Sequence, residues 1–251
     1  MQKFAFLLLN NHHNRDFKQK KKDKNKIYLE IRKRKLERRL KMYVGRIVAI
    51  GMSKAGNLTA MYRVSSRSFP NRETRIIGDK VAVMPKPGFE DDLNKSPYIT
   101  YNCVRIAGDH AIVTNGSHTD PITEKIQMGF PARDALALSL LSLDYEKDNY
   151  NTPRIAAVIN PKTNSALLGI VKKDALIVRD FDLTPGTALY VATYEHDTPC
   201  AHYKDKNFDV ASAEEAKKYI FSKGVFAELE KPVTAAAVFY TGKDFEIASE
   251  V

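Results

Sequence analysis

Several stretches of this sequence are apolar at consecutive positions, and this limits the possible folds more than any other feature. The longest runs are RIAAVIN at 154–160, ALLGIV at 166–171 and VTAAAVFY at 233–240. A strand that is apolar on alternate residues has one buried face, whereas a strand that is apolar throughout is buried on both faces. Such strands need a second sheet on one side and helices on the other. The sequence therefore predicts an α+β fold in which two stacked sheets are covered by helices, in four α/β/β/α layers.

Other strands and three helices are predicted around these runs. The further strands are MYVGRIVAIG, LTAMYRVSS, KVAVMP, YITYNCVRIAG, HAIVTNG, ALIVRD and TALYVATYE, and VTAAAVFY is predicted to be the last strand. The segment SKAGN between the first two is typical of a hairpin turn. Helices are predicted over 120–129, 131–148 and 212–224 from their N-terminal signals and apolar spacing. The second helix carries Leu136, Leu140 and Leu143 on one side, as expected of a helix that packs on a sheet.

The positive charge of the chain is concentrated near its beginning. Residues 1–41 contain 15 Lys and Arg against 4 Asp and Glu, whereas the rest of the chain contains 25 and 26. We therefore predict a basic extension over 1–41, disordered or partly helical, followed by a single domain over 42–251. Two alternatives stay open. The extension could bind RNA or the ribosome, or Met42 could be the true first residue.

Missing motifs narrow the possible functions. The apolar stretch from Phe4 to Leu9 is shorter than a secretory signal requires, and no run of 18 apolar residues could cross a membrane. The two cysteines, Cys103 and Cys200, are too few for a disulfide framework. The phosphate-binding G-x-x-x-x-G-K-[ST] motif, the dinucleotide-binding G-x-G-x-x-G motif and zinc-ligand spacings are all missing. The sequence thus predicts a cytoplasmic protein that uses neither metal nor cofactor.

The densest polar cluster is the segment RVSSRSFPNR at 63–72. It holds three arginines, three serines and a proline that stiffens the turn. Arginine offers a two-pronged set of donors and serine adds neutral donors, so the segment suits a phosphate group or another oxyanion. A solvated basic loop would have the same composition, and the segment alone leaves both interpretations open.

Smaller polar clusters lie at the ends of other predicted strands. Strand alternation places Tyr101 with Cys103 on one face and Asn102 on the other. The turn NGSHTD at 115–120 precedes a helix, where backbone N–H groups can hold an anion. The remaining clusters are DYEKD at 144–148 and NTPR at 151–154. Each also has a plain structural interpretation, as a core tyrosine, an ordinary turn or a solvated helix end.

Taken together, these segments resemble one family, the archaeal-type IMP cyclohydrolases. The resemblance is carried, in chain order, by MYVGRI, YRVSSRSFPNR, YITYNC, NGSHTD, LDYEKD, NTPRIAA and PVTAAA. It implies an N-terminal-nucleophile-hydrolase-like fold, although Met42 and Tyr43 are not the Cys, Ser or Thr nucleophile that such folds normally carry. It also implies the last step of de novo purine synthesis, in which 5-formamidoimidazole-4-carboxamide ribonucleotide loses water to give inosine monophosphate (IMP). The family works without such a nucleophile and forms homo-oligomers, namely tetramers, so both properties are expected here.

The chemistry of this ring closure suggests roles for particular residues. The carboxamide nitrogen and the formyl carbon are held on adjacent ring positions, and good alignment of such groups is worth about 7–11 kcal/mol. What remains is proton transfer and stabilisation of the formyl oxygen. We therefore predict Tyr101 as the proton carrier at the formyl oxygen, Glu146 as the group that orients or deprotonates the carboxamide, and Arg72 as the group that polarises the oxyanion. The predicted substrate-binding residues are Arg46, Ser66 and Arg67 at the phosphate, and Asn102, Asn115, Ser117, Thr152 and Arg154 at the base or ribose. The sequence leaves open which arginine binds the phosphate and which the formyl oxygen. Amide hydrolysis of a related nucleotide, on the same fold, stays open as another function.

Overall fold

A computed structural model of the chain describes residues 43–250. The extension predicted over 1–41 lies outside the described residues. The strands are β1 (Ile47–Met52), β2 (Leu58–Val64), β3 (Arg72–Ile77), β4 (Lys80–Pro85), β5 (Tyr101–Ala107), β6 (His110–Thr114), β7 (Arg154–Asn160), β8 (Ser165–Lys172), β9 (Ala175–Asp180), β10 (Thr187–Ala192), β11 (Lys204–Asp205), β12 (Thr234–Tyr240) and β13 (Phe245–Ser249). The α-helices are α1 (Thr119–Gln127), α2 (Ala132–Leu143) and α3 (Ala213–Ser222), and two short 3₁₀ helices cover Glu90–Asn94 and Gly224–Glu228.

The strands form two antiparallel sheets, which confirms the α+β class. The first sheet has six strands in the order β11-β10-β1-β2-β12-β13, and the second has seven, β3 to β9, in sequence order. In the first sheet β1 and β2 form the predicted hairpin, in which Val48 pairs with Tyr62. On its other side β2 pairs with β12, so that Tyr62 also lies opposite Ala236. The six-stranded sheet thus joins strands from both ends of the described chain.

The main hydrophobic core lies between the two sheets. Strand β7 illustrates why its sequence is apolar throughout, since all seven of its residues are buried. Ile155 and Ala157 belong to the core shared with the six-stranded sheet. Ala156 and Val158 belong to a second cluster, under α1 and α2. The prediction that the continuous apolar runs are buried on both faces is therefore confirmed.

Helices cover the outer faces of both sheets. Ile122 of α1 and Leu136 and Leu140 of α2 pack on the outer face of the seven-stranded sheet. There Gly169 of β8 lets α2 approach closely, because an added methyl group would lie only 2.6 Å from Leu136 Cδ2. On the six-stranded sheet, Arg63 of β2 points outward and its Nη1 donates to the Phe226 carbonyl oxygen, at 2.7 Å, just beyond α3. No helix among residues 43–250 is long and apolar enough to cross a membrane.

The second helix is shorter than predicted, and this difference shapes the site described below. It ends at Leu143 instead of continuing to residue 148, and Asp144 takes a positive φ of 53° that turns the chain back. Residues 144–148 carry almost no apolar side chains that could pack on the sheet, so they form a loop. Leu143 itself is 38% exposed and does not share the burial of Leu136 and Leu140.

Three strands, β3, β11 and β13, were not predicted from the sequence. The prediction that VTAAAVFY is the last strand is wrong, because β13 follows it and pairs with β12. Strands β3 and β11 were not predicted at all. All three lie at sheet edges and lack the continuous apolar pattern, because β3 and β13 mix apolar with charged residues and β11 is only the charged pair Lys204–Asp205. The third helix starts as predicted, with the Ser212 hydroxyl accepting from the Glu215 N–H.

Candidate active site

Loops from both sheets enclose a polar cavity with about 700 Å³ of space, part of it open to solvent. The segment before β1, the loop between β2 and β3, the loop before β5, the 144–150 loop and the end of β10 all contribute to it. The lining residues are Tyr43, Arg46, Ser66, Arg67, Ser68, Phe69, Arg72, Ser96, Tyr98, Ile99, Glu146, Asp148, Tyr150 and Tyr194. Five of the eleven residues predicted from sequence are in this set: Arg46, Ser66, Arg67, Arg72 and Glu146.

A buried carboxylate, that of Glu146, lies between two guanidinium groups. Its Oε2 accepts from Arg46 Nη2 at 3.0 Å, and its Oε1 is 3.7 Å from Arg154 Nη1. Burial raises the pKa of Glu146, while the positive charges of Arg46 and Arg154 act in the opposite direction. The carboxylate is therefore a stronger proton acceptor than a solvated one and is held at a fixed position.

The loop after α2 brings Glu146 into the cavity. The Glu146 N–H donates to the Thr152 carbonyl oxygen at 2.8 Å, which closes the loop on itself. Asp148 tightens the same loop, because its carboxylate accepts from the Thr152 N–H at 2.9 Å and from the Thr152 hydroxyl at 2.7 Å. The Thr152 hydroxyl is also 2.5 Å from the Tyr194 hydroxyl. Thr152, one of the predicted binding residues, thus fixes two of the residues that line the cavity.

Two tyrosine hydroxyl groups meet at the inner end of the site. Tyr101 from β5 and Tyr62 from β2 are 2.6 Å apart, oxygen to oxygen, and so connect the two sheets. Burial raises the pKa of Tyr101, while Arg72 and Arg46 act to lower it. Both arginines line the cavity, whereas Tyr101 is only 7% exposed and lies outside the lining, next to these two arginines.

Arg72 and the serine-rich loop form one side of the cavity. Arg72 is 2% exposed, and its Nε donates to the Phe69 carbonyl oxygen at 3.2 Å. The Ser66 hydroxyl accepts from the Phe69 N–H at 3.1 Å, which shapes the loop. The Arg67 side chain is largely exposed, bonds Glu230 through Nε and lies 4.6 Å above the Tyr43 ring. These contacts keep the basic groups on the cavity side of the loop.

The remaining predicted binding residues lie outside the lining. Arg154 is behind it, bonded through Nε to the Asp144 carbonyl oxygen and lying over the Tyr98 ring. The Asn102 side chain faces away and donates to both oxygens of Asp120. The Asn115 carboxamide bridges to the backbone of β7, since it donates to Pro153 O and accepts from Ile155 N. Ser117 is exposed in the turn before α1.

Nine lining residues were not predicted as site residues from the sequence, and four of them are tyrosines. Tyr43 and Tyr194 stack with ring centroids 5.1 Å apart, and Tyr98 and Tyr150 complete the aromatic part of the wall. An isolated tyrosine carries no local pattern that separates a wall residue from a core residue. The position of Tyr98 beside Tyr101 in YITYNC was the only usable signal. Among residues 43–250 no group of three or more His, Cys, Asp or Glu could hold a metal ion.

Gly116 packs against the charged side chains of Arg154 and Glu146. A methyl group there would be 2.7 Å from Arg154 Nη1, 3.2 Å from His118 Nδ1 and 3.4 Å from Glu146 Oε1. His118 is fully buried with Nε2 3.0 Å from the Ile155 carbonyl oxygen, and burial together with Arg154 lowers its pKa to about 3. His118 is therefore neutral and adds no charge. The absence of a side chain at Gly116 is what allows Arg154 to approach Glu146.

Replacing Gly116 by alanine should therefore displace Arg154 and Glu146. A shift of about 1 Å in a positioned group can cost about 10²-fold in rate, and we expect a loss of that order in kcat/KM for the reaction of this site. Steady-state kinetics and a thermal melt of the purified variant would measure it. Gly169→Ala is the matched control, since it crowds the apolar Leu136 and should lower Tm while leaving kcat/KM near normal. Unchanged kcat/KM in Gly116→Ala would contradict the importance of this contact.

Comparison with known proteins identifies relatives of the whole described region. A sequence model of the family described as IMP cyclohydrolase-like protein matches residues 43–244. A protein of Methanosphaera stadtmanae named IMP cyclohydrolase is 50% identical over 198 residues, 79% of this chain and 94% of that protein. Proteins of the same name from Methanocella arvoryzae and Halobacterium salinarum are 52% identical over 207 residues and 47% identical over 201 residues. The matches cover 82% and 80% of this chain, and 96% and 93% of those two proteins.

Proposed function

Because this chain belongs to the IMP cyclohydrolase-like family, we propose that its cavity closes 5-formamidoimidazole-4-carboxamide ribonucleotide to IMP with release of water. The observation that carries the proposal is that one carboxylate and two buried arginines line a single cavity, with a tyrosine pair next to the two arginines. These are the groups that such a ring closure requires.

The reaction needs only proton transfers and charge stabilisation from the protein. The carboxamide nitrogen attacks the formyl carbon, a C–N bond forms, and one proton moves from this nitrogen to the formyl oxygen. The resulting hydroxyl group then leaves, and a proton from the former formamido nitrogen completes the water molecule. Both reacting groups belong to one molecule, so the protein has to fix the formyl rotamer and serve the two proton transfers.

We assign the proton transfers to Glu146 and Tyr101. Burial raises the pKa of Glu146, which makes its carboxylate a better acceptor for the carboxamide proton. Tyr101 is a neutral phenol next to two arginines, and it can donate to the formyl oxygen as that oxygen gains negative charge. Arg72 is buried beside the cavity and supplies positive charge to the same oxygen.

We assign the phosphate group to the serine-rich loop. The Ser66 hydroxyl accepts from the backbone, so its own proton is available to a phosphate oxygen. Arg67 uses only Nε for Glu230, which leaves its terminal N–H groups available. Arg46 keeps a buried Nε that has no partner among the described residues and can donate to a substrate oxygen.

Of the five residues predicted to contact the base or ribose, several make contacts that favour a supporting role, in which they hold other residues in place. Thr152 and Arg154 act next to the lining, through Tyr194 and Glu146. Asn102, Asn115 and Ser117 are engaged or exposed elsewhere, and we propose that Asn115 mainly holds β7 in place. Stacking of the base on the Tyr43–Tyr194 pair would supply the contact that these three residues do not.

The family resemblance supports three further proposals. The sheets and helices are those of an N-terminal-nucleophile-hydrolase-like fold without the nucleophile. The chain forms homo-oligomers, as tetramers, and exposed apolar side chains such as Leu141 and Met128 are suited to be covered in such an assembly. The reaction takes place in the cytoplasm, in a reduced setting compatible with two free cysteines.

The proposal is tested by supplying purified protein with the formamido nucleotide and recording the IMP absorbance. We expect stoichiometric IMP, at a rate that stays the same when residues 1–41 are deleted, because the family match begins at residue 43. Release of formate in place of IMP would show amide hydrolysis. Absence of turnover, together with salt-dependent RNA binding that the deletion abolishes, would show an RNA-associated protein.

A further inference from the structure

We propose that Tyr62 is a positioning residue for the ring closure: it donates its hydroxyl proton to Tyr101 and so reserves the proton of Tyr101 for the substrate. This inference rests on the proposed function and concerns the tyrosine pair at the inner end of the cavity. Sequence patterns do not identify Tyr62, which reads as an ordinary apolar position of a buried strand.

Strand alternation in β2 aims Tyr62 at the other sheet. Val64 and Ala60 share its face and belong to the core between the sheets, whereas Arg63 points to the outer face. Tyr62 is fully buried, and its hydroxyl oxygen is 2.6 Å from that of Tyr101. Within residues 43–250, Tyr101 is the only hydrogen-bond partner of the Tyr62 hydroxyl. The pair therefore connects the two sheets, and Tyr62 is the member that has no exposure to solvent.

Counting protons gives the direction of this hydrogen bond. Each phenol has a single proton, and only one of the two can lie between the oxygens. If Tyr101 donated, the Tyr62 proton would be left without an acceptor in a fully buried place, which is costly. If Tyr62 donates, its only proton is used. The Tyr62 hydroxyl is therefore the donor and the Tyr101 oxygen the acceptor.

This direction leaves the proton of Tyr101 to be used in the cavity. The charged groups that act on Tyr101 are Arg46 and Arg72, and a guanidinium group offers donors but no acceptor. Cys103, two residues along β5, is a buried thiol whose pKa burial raises, so it remains protonated. A substrate oxygen placed against the two arginines is the acceptor that fits. In the ring closure this is the formyl oxygen.

The same hydrogen bond adjusts the acidity of Tyr101. Donation to its oxygen stabilises the phenolate that Tyr101 becomes as it gives up its proton, so this bond lowers the pKa that burial has raised. Burial raises the pKa of Tyr62 well above its usual value, so Tyr62 keeps its proton. Tyr62 thus supports one member of the pair as the acid and is not itself the acid.

Tyr62→Phe removes the hydroxyl group and keeps the ring, and it tests this role in the full-length protein. A hydrogen bond to a group that is becoming charged is worth about 10- to 100-fold in rate, so kcat should fall by that factor while KM changes little. The pH at which kcat/KM declines on the alkaline side should move upward, because Tyr101 loses a hydrogen bond that lowers its pKa. In protein labelled at tyrosine Cζ, the carbon-13 signal of Tyr101, assigned by its loss in Tyr101→Phe, should shift in the same variant.

Two controls separate positioning from a merely structural effect. Tyr219→Phe removes another buried hydroxyl group, bonded to Asp205 and Asn207, outside the cavity. It should lower Tm without changing kcat or the pH profile. The double variant Tyr62→Phe/Tyr101→Phe should be no slower than Tyr101→Phe alone, since Tyr62 acts only through Tyr101.

The inference is overturned if Tyr62→Phe keeps both the wild-type kcat and the wild-type alkaline limb, or if the two substitutions multiply their effects on rate. Either outcome is informative only when the wild-type protein produces IMP. Failure of the wild type to do so would instead reject the proposed function.

Discussion

Replacing Glu146 by glutamine should lower kcat by about 10²- to 10⁴-fold, which is the range by which a positioned acid or base accelerates a reaction. Glutamine has the shape of glutamate but cannot accept the carboxamide proton. Wild-type activity should also fall as the pH drops through the pKa of Glu146, which burial raises. Steady-state IMP formation across pH would show both effects, and the acid limb should disappear in Glu146→Gln.

The same substitution leaves two buried guanidinium groups without their counter-charge. Removing one partner of a buried ion pair costs about 3–5 kcal/mol of folding free energy, so the Tm of Glu146→Gln should fall as well. Glu146→Asp keeps the negative charge and is the alternative test if Glu146→Gln folds poorly. It should also be slow, because its shorter side chain holds the carboxylate farther from the substrate. Glu215→Gln, on the exposed start of α3, is the matched control for activity. Normal turnover by both Glu146 variants would remove Glu146 from the mechanism.

Replacing Tyr101 by phenylalanine should also lower kcat by about 10²- to 10⁴-fold, because the formyl oxygen then lacks its proton donor. Binding of the nucleotide should change much less, since the ring remains in place and the phosphate contacts are untouched. Comparison of kcat with the dissociation constant of IMP, measured by calorimetry, would show the separation. A fall in affinity as large as the fall in kcat would point to a binding role instead.

Stability gives a second and independent readout for Tyr101. In Tyr101→Phe the buried Tyr62 hydroxyl loses its partner, which costs about 1–3 kcal/mol. Removing that hydroxyl too, in Tyr62→Phe/Tyr101→Phe, should restore part of the lost Tm. A double variant less stable than Tyr101→Phe would show that the hydroxyl groups are not a closed pair.

The fold class could be predicted from the sequence because it depends on patterns over a few neighbouring residues. Strand β7 is apolar at consecutive positions, and this pattern alone indicates burial between a sheet and helices. The same reasoning failed at β13, which lies at a sheet edge and mixes charged with apolar residues. It also extended α2 into residues 144–148, since a charged segment after a helix gives no sign of turning back.

The site was predicted in part, through residue type and motif position. Arg72 and Glu146 line one cavity and Tyr101 lies next to Arg72, although they belong to three separate segments. Their catalytic roles stay predictions. The pairing of Arg46 with Glu146 was not foreseen, because 100 residues separate them in the chain.

The chain itself thus determined the continuously apolar buried strands, where the three helices begin to within a residue, and which polar residue types the loops present. These properties follow from patterns over a few neighbouring residues. Only the tertiary structure decided that Tyr62 meets Tyr101, that Asn115 holds β7, and that Gly116 admits Arg154. Such contacts depend on distances between segments from opposite sheets, and these distances are set by how the layers pack.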